Sequence, residues 1–152
     1  AIGLIRQLGI QEVSAKKMLA NSDFGEEKFL KFMRKKGLKL IYINVVPNPQ
    51  QSDIAIVQQF RNAASKYDVS VDPFSLESYI ATDFLLDIMK KMKGTITKEK
   101  LIAAIEKIKD YDYKGLKFNF DPEKRTLSST FWLNTGSPDW QRVEVQVSKE
   151  DT

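Results

Sequence analysis

Apolar residues recur at helical spacing from the start of the chain, at Ile2, Leu4, Ile5 and Leu8. Gly9, just past them, is the residue type that ends helices in a left-handed cap. A connection then leads to a short strand over 17–20, followed by the polar loop Asn21, Ser22, Asp23. In 25–36, Phe29, Phe32 and Met33 share one helical face before Gly37 ends the helix. Residues 40–46, LIYINVV, are β-branched and almost continuously apolar. That is the pattern of a strand buried on both faces of a parallel sheet, and Pro47 and Pro49 close it.

Three helices follow. Ser52 reads as the N-cap of the first, with Ile56, Val57, Phe60 and Ala64 on its apolar face. After a loop with Asp72 and Pro73, Ser75 reads as the cap of a long helix over 76–92. Its buried face is Tyr79, Ile80, Phe84, Leu85, Ile88 and Met92, its wet edge carries Asp83 and Asp87, and Gly94 ends it. Thr97 caps the third, which carries Leu101, Ile102, Ile105 and Ile108. Beyond Tyr111 the period changes to two. Residues 116–120 alternate, Asp121 and Pro122 turn, 127–133 read as a strand, and Gly136, Ser137 and Pro138 turn again. Residues 140–147 alternate through Val143, Val145 and Val147. The expectation is an α/β chain with parallel-type strands and helices, then an antiparallel C-terminal hairpin or meander, contributing to more than one sheet.

Composition narrows the chemistry. The 152 residues, 42% hydrophobic and 29% charged, fit one ordered globular unit. There is no cysteine and no histidine, which removes Ser-His-Asp and Cys-His catalysis, thiolate and imidazole metal sites, and the commonest base near neutral pH. No Gly-rich phosphate loop or nucleophile elbow appears, so neither an enzyme nor a cofactor is indicated. The net charge of +4 comes from lysines dispersed among acids, a solvated surface rather than a nucleic-acid footprint. The paired Glu26 and Glu27 sit in the first turn of a helix, where the backbone dipole alone favours acids.

Two loops occupy places where α/β proteins bind ligands. Asn21, Ser22 and Asp23 follow the carboxyl end of a strand. Phe74 and Ser75 stand at the start of the long helix, where free N–H groups favour an anion and a ring can cover an apolar group. Both also have plain structural readings, as turn formers and as a hydrophobic staple.

A set of segments carries a resemblance. These are Val45-Val46-Pro47, the helix portion Gln58-Gln59-Phe60, Ser75-Leu76-Glu77-Ser78-Tyr79-Ile80-Ala81, Leu101-Ile102-Ala103-Ala104-Ile105, and then Gly115-Leu116-Lys117-Phe118 with Phe120-Asp121-Pro122. In this order and spacing they resemble the C-terminal part of periplasmic solute-binding receptors of the branched-chain amino-acid (Leu/Ile/Val) family. The resemblance implies a partial type I periplasmic-binding-protein fold. Residues 1–46 would then be part of the second lobe, 47–116 the helical part of the first, and 117–152 a lobe-crossing strand and C-terminal hairpin. It implies a non-catalytic receptor, periplasmic or anchored at the cell surface, that captures a small solute between lobes and passes it to the membrane permease of an ABC importer.

By the same resemblance, Phe74 falls where an aromatic ring lies against the solute. Ser22 falls where amino-acid binders carry an acid for the ligand ammonium, with Asp23 beside it as a substitute. Asn21 and Glu77 complete the implied ligand set. Serine in that place leaves amides and small aromatic acids open beside amino acids. The chain opens at Ala1 within an apolar helical pattern, as a fragment or processed product would, and the family's first half has no counterpart in it. Self-association, or pairing with that half, is therefore expected. Two alternatives stand: a ligand-sensing regulatory domain of the same fold, and an associating fragment without a small-molecule role.

Overall fold

Strand pairing organises the chain around residues 40–44. The structure, a computed structural model, describes residues 1–25, 27–136 and 139–144, with Glu27 described only in its backbone. The expectations resting on Glu26, Ser137, Pro138, Val145 and Val147 lie outside the described residues. The elements in order are α1 (Ile2–Leu8), α2 (Ile10–Ser14), β1 (Met18–Ala20), a 3₁₀ turn (Ser22–Phe24), α3 (Glu27–Lys35), β2 (Leu40–Asn44), α4 (Ala55–Tyr67), α5 (Pro73–Lys91), α6 (Lys98–Glu106), β3 (Tyr111–Tyr113), β4 (Leu116–Phe118), β5 (Thr130–Asn134) and β6 (Gln141–Glu144). One sheet has the order β1-β2-β5-β6, and β3 with β4 forms a separate hairpin. Strand β1 runs parallel to β2 with Met18 opposite Leu40. Strand β5 runs antiparallel to β2 with Asn44 opposite Trp132, and β6 antiparallel to β5. The architecture is thus α/β, with a parallel front, an antiparallel tail and two sheets.

Several local expectations are corrected. Strand β2 is not buried on both faces: its burial alternates, and Ile43 is 46% exposed. Helix α2 occupies part of the stretch read as a connection, and β3 is an additional strand. Gly9 has positive φ but an extended ψ of 136°, so it separates two helices without forming a left-handed cap. Ser52 does not cap α4; its Oγ accepts from the Ile54 N–H at 3.2 Å, one residue ahead of the helix. Helix α5 starts at Pro73 with Asp72, not Ser75, as its cap, the Asp72 Oδ1 accepting from the Ser75 N–H at 2.9 Å. Proline at the first helical position needs no N–H partner, which explains the earlier start. Leu85 is exposed, and the buried stripe of α5 is Leu76, Ile80, Phe84 and Ile88. Thr97 does cap α6, accepting from the Lys100 N–H.

The apolar side chains form two clusters. One packs Val57, Phe60, Leu76, Phe84, Tyr113, Phe120 and Trp132 among α4, α5, α6, the β3–β4 hairpin and the start of β5. The other packs Ile5, Val13, Phe29, Met33, Leu40 and Tyr42 between α1–α3 and one face of the larger sheet. Trp140 packs against both. The opposite face of that sheet carries Leu19, Ile41, Ile43, Phe131, Leu133 and Val143, in line by register. Of these Leu19 is 77% exposed, and Ile43 and Val143 are also open to solvent.

Helix α5 is clamped to the hairpin by polar contacts. Tyr113 Oη and Lys114 Nζ both donate to Asp83, while Tyr111 Oη at 3.1 Å and Lys91 Nζ at 2.6 Å donate to Asp87. These aspartates therefore tie two elements together rather than marking a wet edge. Burial acts to raise the Asp83 carboxyl, but the hydrogen bonds from Lys114 and Tyr113 outweigh it and hold the group below its ordinary value of 3.8. Burial, with the Asp83 carboxylate, pushes the Tyr113 phenol well up, so it stays a donor.

Two predictions follow from these contacts. Asn134 Nδ2 donates to Tyr42 Oη at 2.8 Å in a buried bond. Tyr42→Phe leaves that amide hydrogen unpaired and is expected to cost about 1–3 kcal/mol in urea denaturation. A carboxyl depressed in the folded state stabilises above its ordinary value, and that stability is lost as pH falls through the depressed one. Asp83→Asn should therefore lower the urea midpoint near neutrality, with the gap to wild type closing in acid as pH falls below the ordinary carboxyl value of 3.8. A gap that persists in acid would show that the carboxylate charge is not what holds the hairpin.

Candidate functional site

The carboxyl ends of β1 and β2 lie side by side because the strands are parallel, and this is where open α/β sheets form ligand crevices. Beyond β1 the backbone tightens into the 3₁₀ turn, with the Phe24 N–H donating to the Asn21 carbonyl at 3.2 Å and the Gly25 N–H to the Ser22 carbonyl at 2.8 Å. Asn21 Nδ2 donates to Asp23 Oδ2 at 2.9 Å, so two of the expected ligand groups hold each other. Ser22 is half-buried. Asp23 also borders a groove with Ile2, Gly3, Lys28 and Phe29. Gly25 sits at a close approach: a Cβ there would meet the Ser22 carbonyl oxygen at 3.0 Å, so the turn would have to give slightly to admit one.

Beyond β2 the chain passes through buried Val46 and Pro47 into the loop 48–54. Pro47, Asn48, Gln51 and Ser52 line a groove of about 160 Å³ together with Trp132, Asp139 and Trp140. Trp132 reaches it because it pairs with Asn44, and Trp140 because its ring lies edge-on to Tyr42 at 5.9 Å. Neither tryptophan was among the expected site residues; the signal for Trp132 is its register opposite the last residue of β2.

Phe74 lies in the first turn of α5 and is 42% exposed, and Glu77 is exposed one turn on. Gln50 Nε2 donates to the Val71 carbonyl at 2.7 Å, and Arg61 donates to the carbonyls of Gln50 and Ser52. The loop after β2 is thereby tied to the segment leading into Phe74. No described hydrogen bond or groove joins Phe74 or Glu77 to Asn21, Ser22 or Asp23. The expected residues therefore fall into two groups, one at the end of β1 and one at the start of α5, with the 48–54 loop between them.

Among the described residues no cluster of acidic side chains could hold a metal ion, and no helix is long and apolar enough to cross a membrane. The described arrangement lies at the carboxyl ends of β1 and β2 and the start of α5. It offers what a binding crevice needs: aromatic walls, neutral amides and hydroxyls, and a flanking acid.

Comparison with known proteins agrees with this geometry. Among solved structures, a possible leucine/isoleucine/valine-binding protein from Rhodopirellula baltica SH 1 superposes with a TM-score of 0.76 at 26% identity, covering 92% of this chain and 38% of that one. A leucine-binding protein, LivK, from Thermotoga maritima superposes at 0.64 with 17% identity, covering 98% of this chain and 41% of that one. The chain thus spans about two-fifths of the length of either structure, and both are named as binding proteins, not enzymes. A comparison with curated proteins finds no match. The α/β arrangement matches the type I periplasmic-binding-protein fold, and the periplasmic binding protein family profile matches residues 1–137. The chain belongs to the periplasmic binding protein family.

Proposed function

We propose that the chain is part of an extracytoplasmic receptor that captures a small solute in a cleft between two lobes and presents it to the permease of an ABC importer. The observation that carries this reading is the family match over nearly the whole chain. Two separate hydrophobic clusters support it, since they are joined by the segments around 45–54 and 127–130 and fit two lobes meeting at a hinge. In this reading residues 1–46 belong to the second lobe, 47–116 to the first, and 117–152 cross back and end in the hairpin. Ser22, Asp23 and Asn21 contact the solute from one side, Phe74 and Glu77 from the other. The solved relatives named for leucine, isoleucine and valine make branched-chain amino acids the first solutes to try. Ser22, a neutral side chain where an ammonium partner is expected, adds amides and small aromatic acids.

A thermal-shift screen of the chain against branched-chain and aromatic amino acids, amides and small aromatic acids tests the reading. One chemical class should raise the melting temperature, by an amount that grows with concentration. Phe74→Ala should reduce that shift and lower the ligand-free melting temperature less than loss of a core ring would, because Phe74 is already 42% exposed. No shift from any class by a folded chain would contradict receptor function for this chain.

Self-association is the second part of the proposal. The larger sheet ends in the short edge strands β1 and β6 and presents Leu19, Ile43 and Val143 to water, a patch that favours covering. Sedimentation at micromolar concentration should give a species larger than the 17.4 kDa chain. A folded monomer across that range would remove this part of the proposal.

A further inference from the structure

The last residue of β2 is anomalous. Asn44 is completely buried, yet among the described residues neither its Nδ2 nor its Oδ1 has a hydrogen-bond partner. An unpaired buried amide is costly, and in native proteins such groups are few and each calls for an explanation. Its position is specific: on β2's carboxyl end, cross-strand from the groove residue Trp132, and under Gly25, whose Cβ position lies 3.8 Å from Oδ1.

We propose that Asn44 is a specificity-determining residue of the cleft, whose free carboxamide pairs with a carboxamide on the solute once the turn above it lifts. The proposal rests on the receptor reading. The turn suits this movement because its described hydrogen bonds, Asn21 to Asp23, Phe24 to Asn21 and Gly25 to Ser22, are all internal and survive its displacement as a unit, while the Phe24 ring, edge-on to Phe29 at 5.8 Å, has to part from it. Chemistry selects the solute group. A carboxylate only accepts and would leave Oδ1 facing negative oxygen; an ammonium only donates and would leave Nδ2 unpaired. A carboxamide offers a donor and an acceptor side by side and satisfies both atoms in a two-bond ring. The neighbouring groove is consistent, with the neutral Asn48, Gln51 and Ser52, one acid, Asp139, and no cation for a carboxylate among its lining residues.

The test compares leucine with leucinamide, which differ only in carboxylate against carboxamide, by titration of the 152-residue chain and of Asn44→Leu. Wild type should bind leucinamide about tenfold more tightly than leucine, and Asn44→Leu should remove that preference. Equal or tighter binding of leucine by wild type, or a preference that survives in the variant, overturns the proposal. Without solute, Asn44→Leu should raise the melting temperature, since it replaces an unpaired amide by an apolar group of the same branching. A fall would remove the evidence that the amide is a liability in the resting fold and would also overturn it. If other solutes of the screen bind and leucinamide does not, the Asn44 assignment fails alone; if none binds, the receptor reading fails with it.

Discussion

The antiparallel pairing of β2 with β5 is the constraint on which the rest of this structure depends. It joins residues about ninety positions apart, and the loop it closes contains helices α4, α5 and α6 and the β3–β4 hairpin. Closing so long a loop costs entropy only logarithmically in its length, and side-chain burial at the seam offsets it. Tyr42 and Asn134 supply a buried hydrogen bond there, and Trp132 carries the seam into the helical cluster. Because β5 must arrive antiparallel at the carboxyl end of β2, the outgoing segment after Asn44 and the incoming segment before Thr130 run beside each other. Val45, Val46, Ser128 and Thr130 from these two connections, with Leu116 and Phe118, wall a small cavity at the junction. Any relative movement of the two clusters has to be accommodated there.

Much of this was legible from periodicity. Helices α1, α3, α4, α5 and α6 and the strands at 18–20, 40–44 and 116–118 follow from spacing, and the change of period after Tyr111 announces the antiparallel tail. The misreadings have physical causes. Asp72 and Ser75 are both good caps, and Pro73 between them decides for Asp72 because a proline needs no N–H partner at the first helical position. A short helix such as α2 has too few turns to display a period. The apolar run 40–46 states that its residues are hydrophobic, not that a layer covers each of them, so the exposure of Ile43 was invisible.

The site was legible in a different way. That a polar loop follows a strand is local information, and it correctly places Asn21, Ser22 and Asp23 at the carboxyl end of β1. The contribution of Trp132 and Trp140 is not local, since it arises only once β5 is in register with β2. The aspartates of α5 show the same limit. Asp83 and Asp87, four residues apart on one helix, look like ordinary solvated acids until the hairpin brings Tyr111, Tyr113 and Lys114 onto them.

Ile43 and Asn44 bring the two limits together. Adjacent residues of a strand point to opposite faces, so the chain can exchange their environments only by slipping the register, which the pairing with β1 and β5 forbids. An isoleucine is left in water beside an asparagine sealed without partners among the described residues, the reverse of what either side chain prefers. A sequence selected only for stability of this fold would carry the two the other way round. Stability of the isolated fold therefore does not account for this pair. Contacts that the described residues do not supply, an apolar covering on one face and a polar partner at the mouth of the crevice on the other, would account for both positions at once.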